Sequence, residues 1–113
     1  MDSDVLEAAV RRNHRQRELE REEVLRRLDS ALGSLAARYD LQEVYTFGSV
    51  LRAGRFCDES DVDVAVASLG PRYWSFAAEL SAAIGREVDV VDLDASRLSP
   101  RIREEGTRWM PPR

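Results

Sequence analysis

Two short segments in which acidic residues alternate with valines constrain the fold more than any other feature. Residues 61–66 read Asp-Val-Asp-Val-Ala-Val, and residues 87–93 read Glu-Val-Asp-Val-Val-Asp-Leu. Alternation with a period of two is typical of a strand that has one polar and one apolar face. We therefore expect two strands on which Asp61, Asp63 and Asp89 lie together on the open face of the sheet. The valines expected on the core face are Val62, Val64, Val66, Val88 and Val90.

The rest of the chain predicts helices and one further strand. Residues 3–38 contain no proline, and four of their leucines recur at the spacing of one buried helical stripe. The β-forming residues 44–47 indicate a short strand, and Pro71 opens a predicted helix that stops at Gly85. A last short helix is expected to end near Gly106. The predicted fold class is α/β (α+β), with a small mixed sheet of three to four strands and helices on one face.

Length and composition fit one small domain. The chain has 113 residues and a net charge of −4, which argues against a general nucleic-acid-binding surface. The single cysteine, Cys57, excludes an internal disulfide, and no apolar run reaches the roughly 20 residues of a membrane span. We expect a cytoplasmic protein that does not contact a membrane, with a charged helical extension at 1–22 and the domain itself at 23–110. Trp74 and Trp109 are expected to pack in the core.

A phosphate-binding turn is predicted beside the acidic face. Gly48 and Ser49 directly follow a predicted strand, where a glycine lets a ligand approach the backbone and where N–H groups attract phosphate. Arg52 lies just beyond them and could reach phosphate oxygens. Asp61 and Asp63 repel each other unless a cation neutralises them, and Mg²⁺ binds carboxylates together with substrate phosphates.

Each of these features has a plain alternative when it is taken alone. The acid pair fits two solvated side chains on an edge strand, and the Gly-Ser pair fits an ordinary turn. Three carboxylates on one sheet face, beside a turn that holds phosphate, instead predict a site for two-metal phosphoryl chemistry. Asp92 alternates to the opposite face, and we expect it to end the strand or to cap the turn after it.

The combined pattern resembles the minimal nucleotidyltransferases of the DNA-polymerase-β-like superfamily. The match spans roughly residues 25–106, and its motifs lie at 44–49, Arg52, Gly54, 60–63 and 87–93. The resemblance implies that ATP is the substrate and that two Mg²⁺ ions accompany it. It further implies roles for six residues: triphosphate binding by Gly48, Ser49 and Arg52, and metal binding and catalysis by Asp61, Asp63 and Asp89.

Stand-alone members of this size resemble the antitoxins of two-gene modules whose partner is a HEPN-type ribonuclease toxin. The resemblance implies a protein adenylyltransferase that transfers AMP to a hydroxyl of the toxin, typically on a tyrosine, within a homo- or hetero-oligomer. The chain is too short to enclose both a nucleotide and an acceptor, which fits an acceptor supplied by the partner. Two alternatives stay open: a catalytically weak module of the same fold that neutralises a partner by contact, and a transferase for a small molecule or an RNA end.

Overall fold

The computed structural model describes residues 3–48 and 62–111 and contains three α-helices and four strands. The elements in chain order are α1 (Ser3–Tyr39), β1 (Val44–Phe47), β2 (Val62–Val66), α2 (Tyr73–Ile84), β3 (Val88–Asp92), α3 (Ser99–Glu105) and β4 (Thr107–Arg108). The strands form one sheet in the order β3-β2-β1-β4. β1 is antiparallel to β2 and to β4, and β2 is parallel to β3. The predicted mixed sheet and the predicted α/β class are confirmed.

The structure differs from the sequence prediction at the start of α2 and in having β4. A 3₁₀ turn at Gly70–Arg72 contains Pro71, so α2 itself begins at Tyr73. β4 was not predicted, because a strand of two residues is too short to show a periodicity. Its pairing with β1 extends the sheet to four strands.

α1 and α2 cover one face of the sheet, as the leucine stripe and the alternating valines predicted. The α1 stripe includes Leu28, Leu32 and Leu35, all buried. The buried residues that α2 and the two valine-rich strands add to this core are Phe76, Leu80, Ile84, Val62, Val64, Val66, Val88 and Val90. Gly85 follows the last residue of α2, and its left-handed φ of +69° is accessible to glycine at little cost.

The short helix α3 packs on the other face, the one on which the acids lie. Ile102 of α3 is buried in a second, smaller cluster with Tyr45, Ala65, Ala67 and Leu93. α3 therefore covers the part of this face around Ala65. Asp63 and Asp89 lie two residues further toward the starts of their strands.

Tyr39 fixes the end of α1 to α2. Its ring meets that of Phe76 edge to face, with centroids 5.2 Å apart. Its hydroxyl donates a hydrogen bond to the Glu79 carboxylate, which also accepts one from Arg38 at 2.7 Å. The bond from Tyr39 and then that from Arg38 hold the pKa of Glu79 below its ordinary value.

The two tryptophans differ in environment. Trp109 packs against the larger core, and its indole Nε1 donates to Asp29 at 2.9 Å. Trp74 at the start of α2 is 79% exposed, so the prediction that it packs in the core is wrong. Its neighbour Tyr73 turns toward β3 instead and donates to the carbonyl of Val90.

The amino-terminal part of α1 extends beyond the sheet. No residue among 4–23 is buried, and Val5, Leu6 and Val10 are between 58% and 62% exposed. The principal extents are 58 × 27 × 27 Å. Within residues 3–48 and 62–111, none of the helices is long and apolar enough to cross a membrane.

Candidate active site

Two of the predicted carboxylates lie side by side on adjacent strands. Asp63 of β2 and Asp89 of β3 are register partners in the parallel pair. Neighbouring strands lie about 4.8 Å apart, and residues paired in this way project from the same face of the sheet. Asp63 is half-buried and Asp89 is exposed. Asp61, the third predicted carboxylate, lies outside the described residues.

β1 brings Gly48 against the same carboxylate. Phe47, the last residue of β1, pairs with Asp63, and Gly48 follows with a φ of +81°. A Cβ atom added at Gly48 would overlap Oδ2 of Asp63 and lie 3.2 Å from its Cγ. Glycine is therefore required here both by the left-handed backbone and by contact with the acid. Ser49 and Arg52, the other predicted phosphate ligands, lie outside the described residues.

Asp92 has the structural role that its position predicted. It pairs with Val66 at the far end of β3, away from Asp89. Its Oδ1 accepts a hydrogen bond from the backbone N–H of Asp94 at 2.9 Å, and its carbonyl accepts one from Ser96 at 3.0 Å. Asp92 thus caps the turn after β3.

A cleft of about 430 Å³ lies between the end of β1 and α3. The described residues that line it are Phe47, Gly48, Leu98, Arg101, Ile102, Glu105 and Gly106. Arg101 and Glu105 form an ion pair of 3.0 Å along the exposed side of α3. Sequence reasoning missed this cleft, because nothing in the local pattern indicates that α3 packs beside the Gly48 turn.

The described acids have side chains of the chemical type that binds Mg²⁺. Asp63 and Asp89 present hard carboxylate oxygens from one sheet face, the donors that Mg²⁺ prefers. Within residues 3–48 and 62–111, no group of three or more His, Cys, Asp or Glu side chains could hold a metal ion. The predicted set of three ligands therefore depends on Asp61, which that part of the chain does not include.

Sequence comparison identifies the class of protein to which this fold and this site belong. The family model for polymerase beta nucleotidyltransferases matches residues 31–108, which is 78 of the 113 residues. The matched region contains all four strands and every residue predicted for the site. The chain belongs to this family.

Three solved structures similar to this chain in fold are of toxin–antitoxin proteins. A chain of a mutant of the toxin–antitoxin MntA–HpeT has a TM-score of 0.59 and 22% identity, over 75% of this chain and 74% of its own. A chain of the toxin–antitoxin MntA–HepT has a TM-score of 0.54 and 22% identity, over 75% of this chain and 71% of its own. A chain of a toxin–antitoxin with AMP-PNP has a TM-score of 0.60 and 25% identity, over 75% of this chain and 74% of its own. None of the curated proteins compared with this chain matches it significantly.

Proposed function

We propose that this protein is a Mg²⁺-dependent nucleotidyltransferase that transfers AMP from ATP to a hydroxyl group of a HEPN-type toxin in the cytoplasm and so acts as an antitoxin. The observation that carries the proposal is the adjacency of Asp63, Asp89 and Gly48 within a polymerase beta nucleotidyltransferase domain. The likeness in fold to toxin–antitoxin structures, one of them with AMP-PNP, supports the choice of partner and nucleotide.

The residues of the proposed site divide into two groups, one for the triphosphate and one for the metal. The backbone at Gly48, with Ser49 and Arg52, would bind the triphosphate, and Asp61, Asp63 and Asp89 would hold the metal. Bound Mg²⁺ would neutralise the triphosphate and polarise the phosphorus under attack. The acceptor oxygen forms a bond to the α-phosphorus, the bond to pyrophosphate breaks, and Asp89 accepts the hydroxyl proton.

The position of Asp89 fits an acceptor that comes from another protein. β3 is an edge strand of the described sheet, and Asp89 on it is exposed. A tyrosine on a partner surface can reach a carboxylate in this position, whereas a deeply buried proton acceptor would admit only a small substrate. The exposure of Asp89 at the edge of the sheet therefore leaves room for a protein acceptor.

The test is transfer of AMP to a purified HEPN-type toxin. With ATP and Mg²⁺, the intact mass of the toxin should rise by whole AMP units. Asp89→Asn should lower the rate at least ~10²-fold, because the amide neither accepts the proton nor neutralises the cation. Asp92→Asn is the matched control, since it makes the same change on the same strand and its amide oxygen can still accept the bond from Asp94.

Two results would contradict the proposal in different ways. Equal activity of Asp89→Asn and Asp92→Asn would show that Asp89 takes no part in the mechanism. Neutralisation of the toxin by the wild-type protein with no change in toxin mass would instead support a binding module that acts by contact.

A further inference from the structure

We propose that the projecting amino-terminal part of α1 pairs in antiparallel orientation with α1 of a second copy of this chain. The twofold axis of the pair passes between Arg17 and Glu18. The pairing does not depend on the proposed function, because the surface contains no residue of the candidate active site.

The projecting part of α1 lacks the packing that usually stabilises a helix in a protein. Residues 4–23 include no buried side chain, and the large apolar residues exposed among them are Val5, Leu6, Val10 and Leu19. Most of the stability of such a helix comes from packing of one face rather than from helix propensity. A second helix alongside it supplies that packing.

The charges of α1 change sign about the boundary between Arg17 and Glu18. Toward the amino terminus lie four arginines followed by two acids: Arg17, Arg15, Arg12, Arg11, Glu7 and Asp4. Toward the carboxyl terminus, four glutamates interrupted by Arg21 precede two arginines: Glu18, Glu20, Glu22, Glu23, Arg26 and Arg27. Two copies aligned antiparallel about this boundary therefore oppose charges of opposite sign, whereas a parallel pair in register opposes like charges.

The arginines of the projecting part have no carboxylate partner in their own chain. Within residues 3–48 and 62–111, the arginines at 11, 12, 15 and 17 make no ion pair, whereas six arginines further along the chain do. Such a cluster is complemented by a surface rich in carboxylates. Residues 18–23 of a second copy provide that surface.

One face of α1 has the spacing that such a pair needs. Residues 12, 16, 19 and 23 follow one another at intervals of four, three and four, the spacing of a seam between two helices. About the twofold axis, Arg12 of one copy opposes Glu23 of the other, and Gln16 opposes Leu19. The two Leu19 side chains then lie about 4.5 Å apart along the helix axis, so each covers the other.

Two clefts along the same side of α1 leave room for the second helix. One, of about 440 Å³, lies between Gln16, Leu19 and Glu23 of α1 and the end of α2 at Gly85. The other, of about 600 Å³, shares Arg27 with the first and is lined by the small side chains of Ser30, Ser34, Ala82 and Ala83. By the twofold symmetry, residues 4–17 of the second copy lie along residues 18–31, beside the first cleft and the start of the second.

The experiment measures association of the full chain by sedimentation equilibrium. We expect a weak dimer whose fraction rises with protein concentration, because a contact between two helices lies at the small end of interface sizes. Arg12→Glu opposes two carboxylates at each end of the pair and should weaken association about tenfold or more. Arg97→Glu is the matched control, since it makes the same change of net charge at an exposed position after β3 and should leave association unchanged.

A mixture of two variants tests the antiparallel orientation. Glu23→Arg alone should also weaken association, because its arginine opposes Arg12 of the other copy. Mixed in equal amounts, Arg12→Glu and Glu23→Arg should form a heterodimer, since opposite charges then meet at both ends. The ion pairs of Glu23 with Arg26 and Arg27 are exposed, so their loss should leave α1 folded.

The apolar contact at the axis is tested separately. Leu19→Ser should weaken association, because it removes the contact between the two leucines. Leu98→Ser is its matched control, since Leu98 is 54% exposed and Leu19 is 55% exposed, and Leu98 lies at the start of α3. Equal effects of the two substitutions would contradict a seam at Leu19.

Three further outcomes would overturn the inference. A wild-type protein that stays monomeric up to about 1 mM forms no such dimer. An Arg12→Glu variant that associates as the wild type does, or a mixture that stays monomeric, would exclude the antiparallel pairing about Arg17. A monomeric protein that loses binding of a HEPN-type toxin or of RNA when residues 1–17 are removed would assign the projecting helix to that partner instead.

Discussion

Gly48 is the residue at which backbone geometry and the candidate site meet. Its φ of +81° is one that side-chain-bearing residues rarely adopt, and its α-carbon leaves no room for a Cβ beside the Asp63 carboxylate. Gly70 shares the first property but not the second, since its φ is +54° and nothing lies within 4 Å of an added Cβ. A comparison of substitutions at the two glycines therefore separates the cost of backbone strain from the cost of displacing the Asp63 carboxylate.

The first prediction compares Gly48→Ala with Gly70→Ala. Gly70→Ala should lower the free energy of unfolding by about 1–2 kcal/mol, the cost of a left-handed residue with a side chain. Gly48→Ala should cost more than this and should also impair AMP transfer, because the methyl group must push Asp63 aside. Urea denaturation and the transfer assay measure the two effects. Equal destabilisation of both variants, with full activity in Gly48→Ala, would show that the contact with Asp63 does not matter.

A second prediction at the residue scale concerns acid stability. Because the pKa of Glu79 is held below its usual 4.5, this carboxylate stabilises the fold above that pH, and the contribution is lost as the pH falls through the lowered pKa. Tyr39→Phe removes the first cause of the shift. The variant should therefore have a lower Tm than the wild type at pH 7, and the difference should narrow as the pH falls below 4.5 and through the lowered pKa of Glu79. Thermal melts across this pH range test the prediction. Tyr45→Phe is the comparison variant, because the hydroxyl of Tyr45 donates to Glu43 and not to Glu79. A difference in Tm that stays constant with pH would contradict the role of Glu79.

At the scale of elements, the attachment of α3 decides the shape of the cleft. Gly106→Ala should lower the free energy of unfolding by about 1–3 kcal/mol, because its methyl group would meet the backbone oxygens of Ile102 and Thr46. Gly33→Ala is the control, since Gly33 lies exposed within α1 with no atom within 4 Å of an added Cβ. That change should stabilise the protein by about 0.5–1 kcal/mol. A Gly106→Ala variant as stable as the wild type would argue against the close approach of α3 to β1.

At the scale of the whole molecule, α1 divides into an extension and a part that packs in the domain. We propose that the folded domain begins near residue 23, because none of residues 4–23 is buried, whereas Val24 is. The radius of gyration is 16.2 Å, compared with about 13 Å for a compact domain of this length. The helical extension accounts for the excess.

Truncation tests this division. Removal of residues 1–17 should leave the Tm within a few degrees of the wild-type value, because no core contact is lost, and should lower the radius of gyration toward about 13 Å. Small-angle scattering and calorimetry measure the two quantities. Loss of the cooperative transition would mean that the extension is part of the domain.

The sequence alone determined the helices, three of the four described strands and the faces that α1, α2, β2 and β3 bury, because these depend on local periodicity. The alternation at 61–66 and 87–93 correctly assigned five valines to the core and Asp63 and Asp89 to the opposite face. The five are Val62, Val64, Val66, Val88 and Val90. Asp92 was likewise predicted correctly from its alternation. The roles of all six predicted site residues stay predictions, and Asp61, Ser49 and Arg52 also lie outside the described residues.

Only the tertiary structure decided which elements became neighbours. The parallel pairing of β2 with β3 places Asp63 directly beside Asp89, and the packing of α3 on the acid-bearing face creates the cleft at Gly48. The exposure of Trp74 was also decided at this level. Strand order, register and helix placement follow from contacts between segments far apart in the chain, and local periodicity contains no information about which distant segment each face will meet.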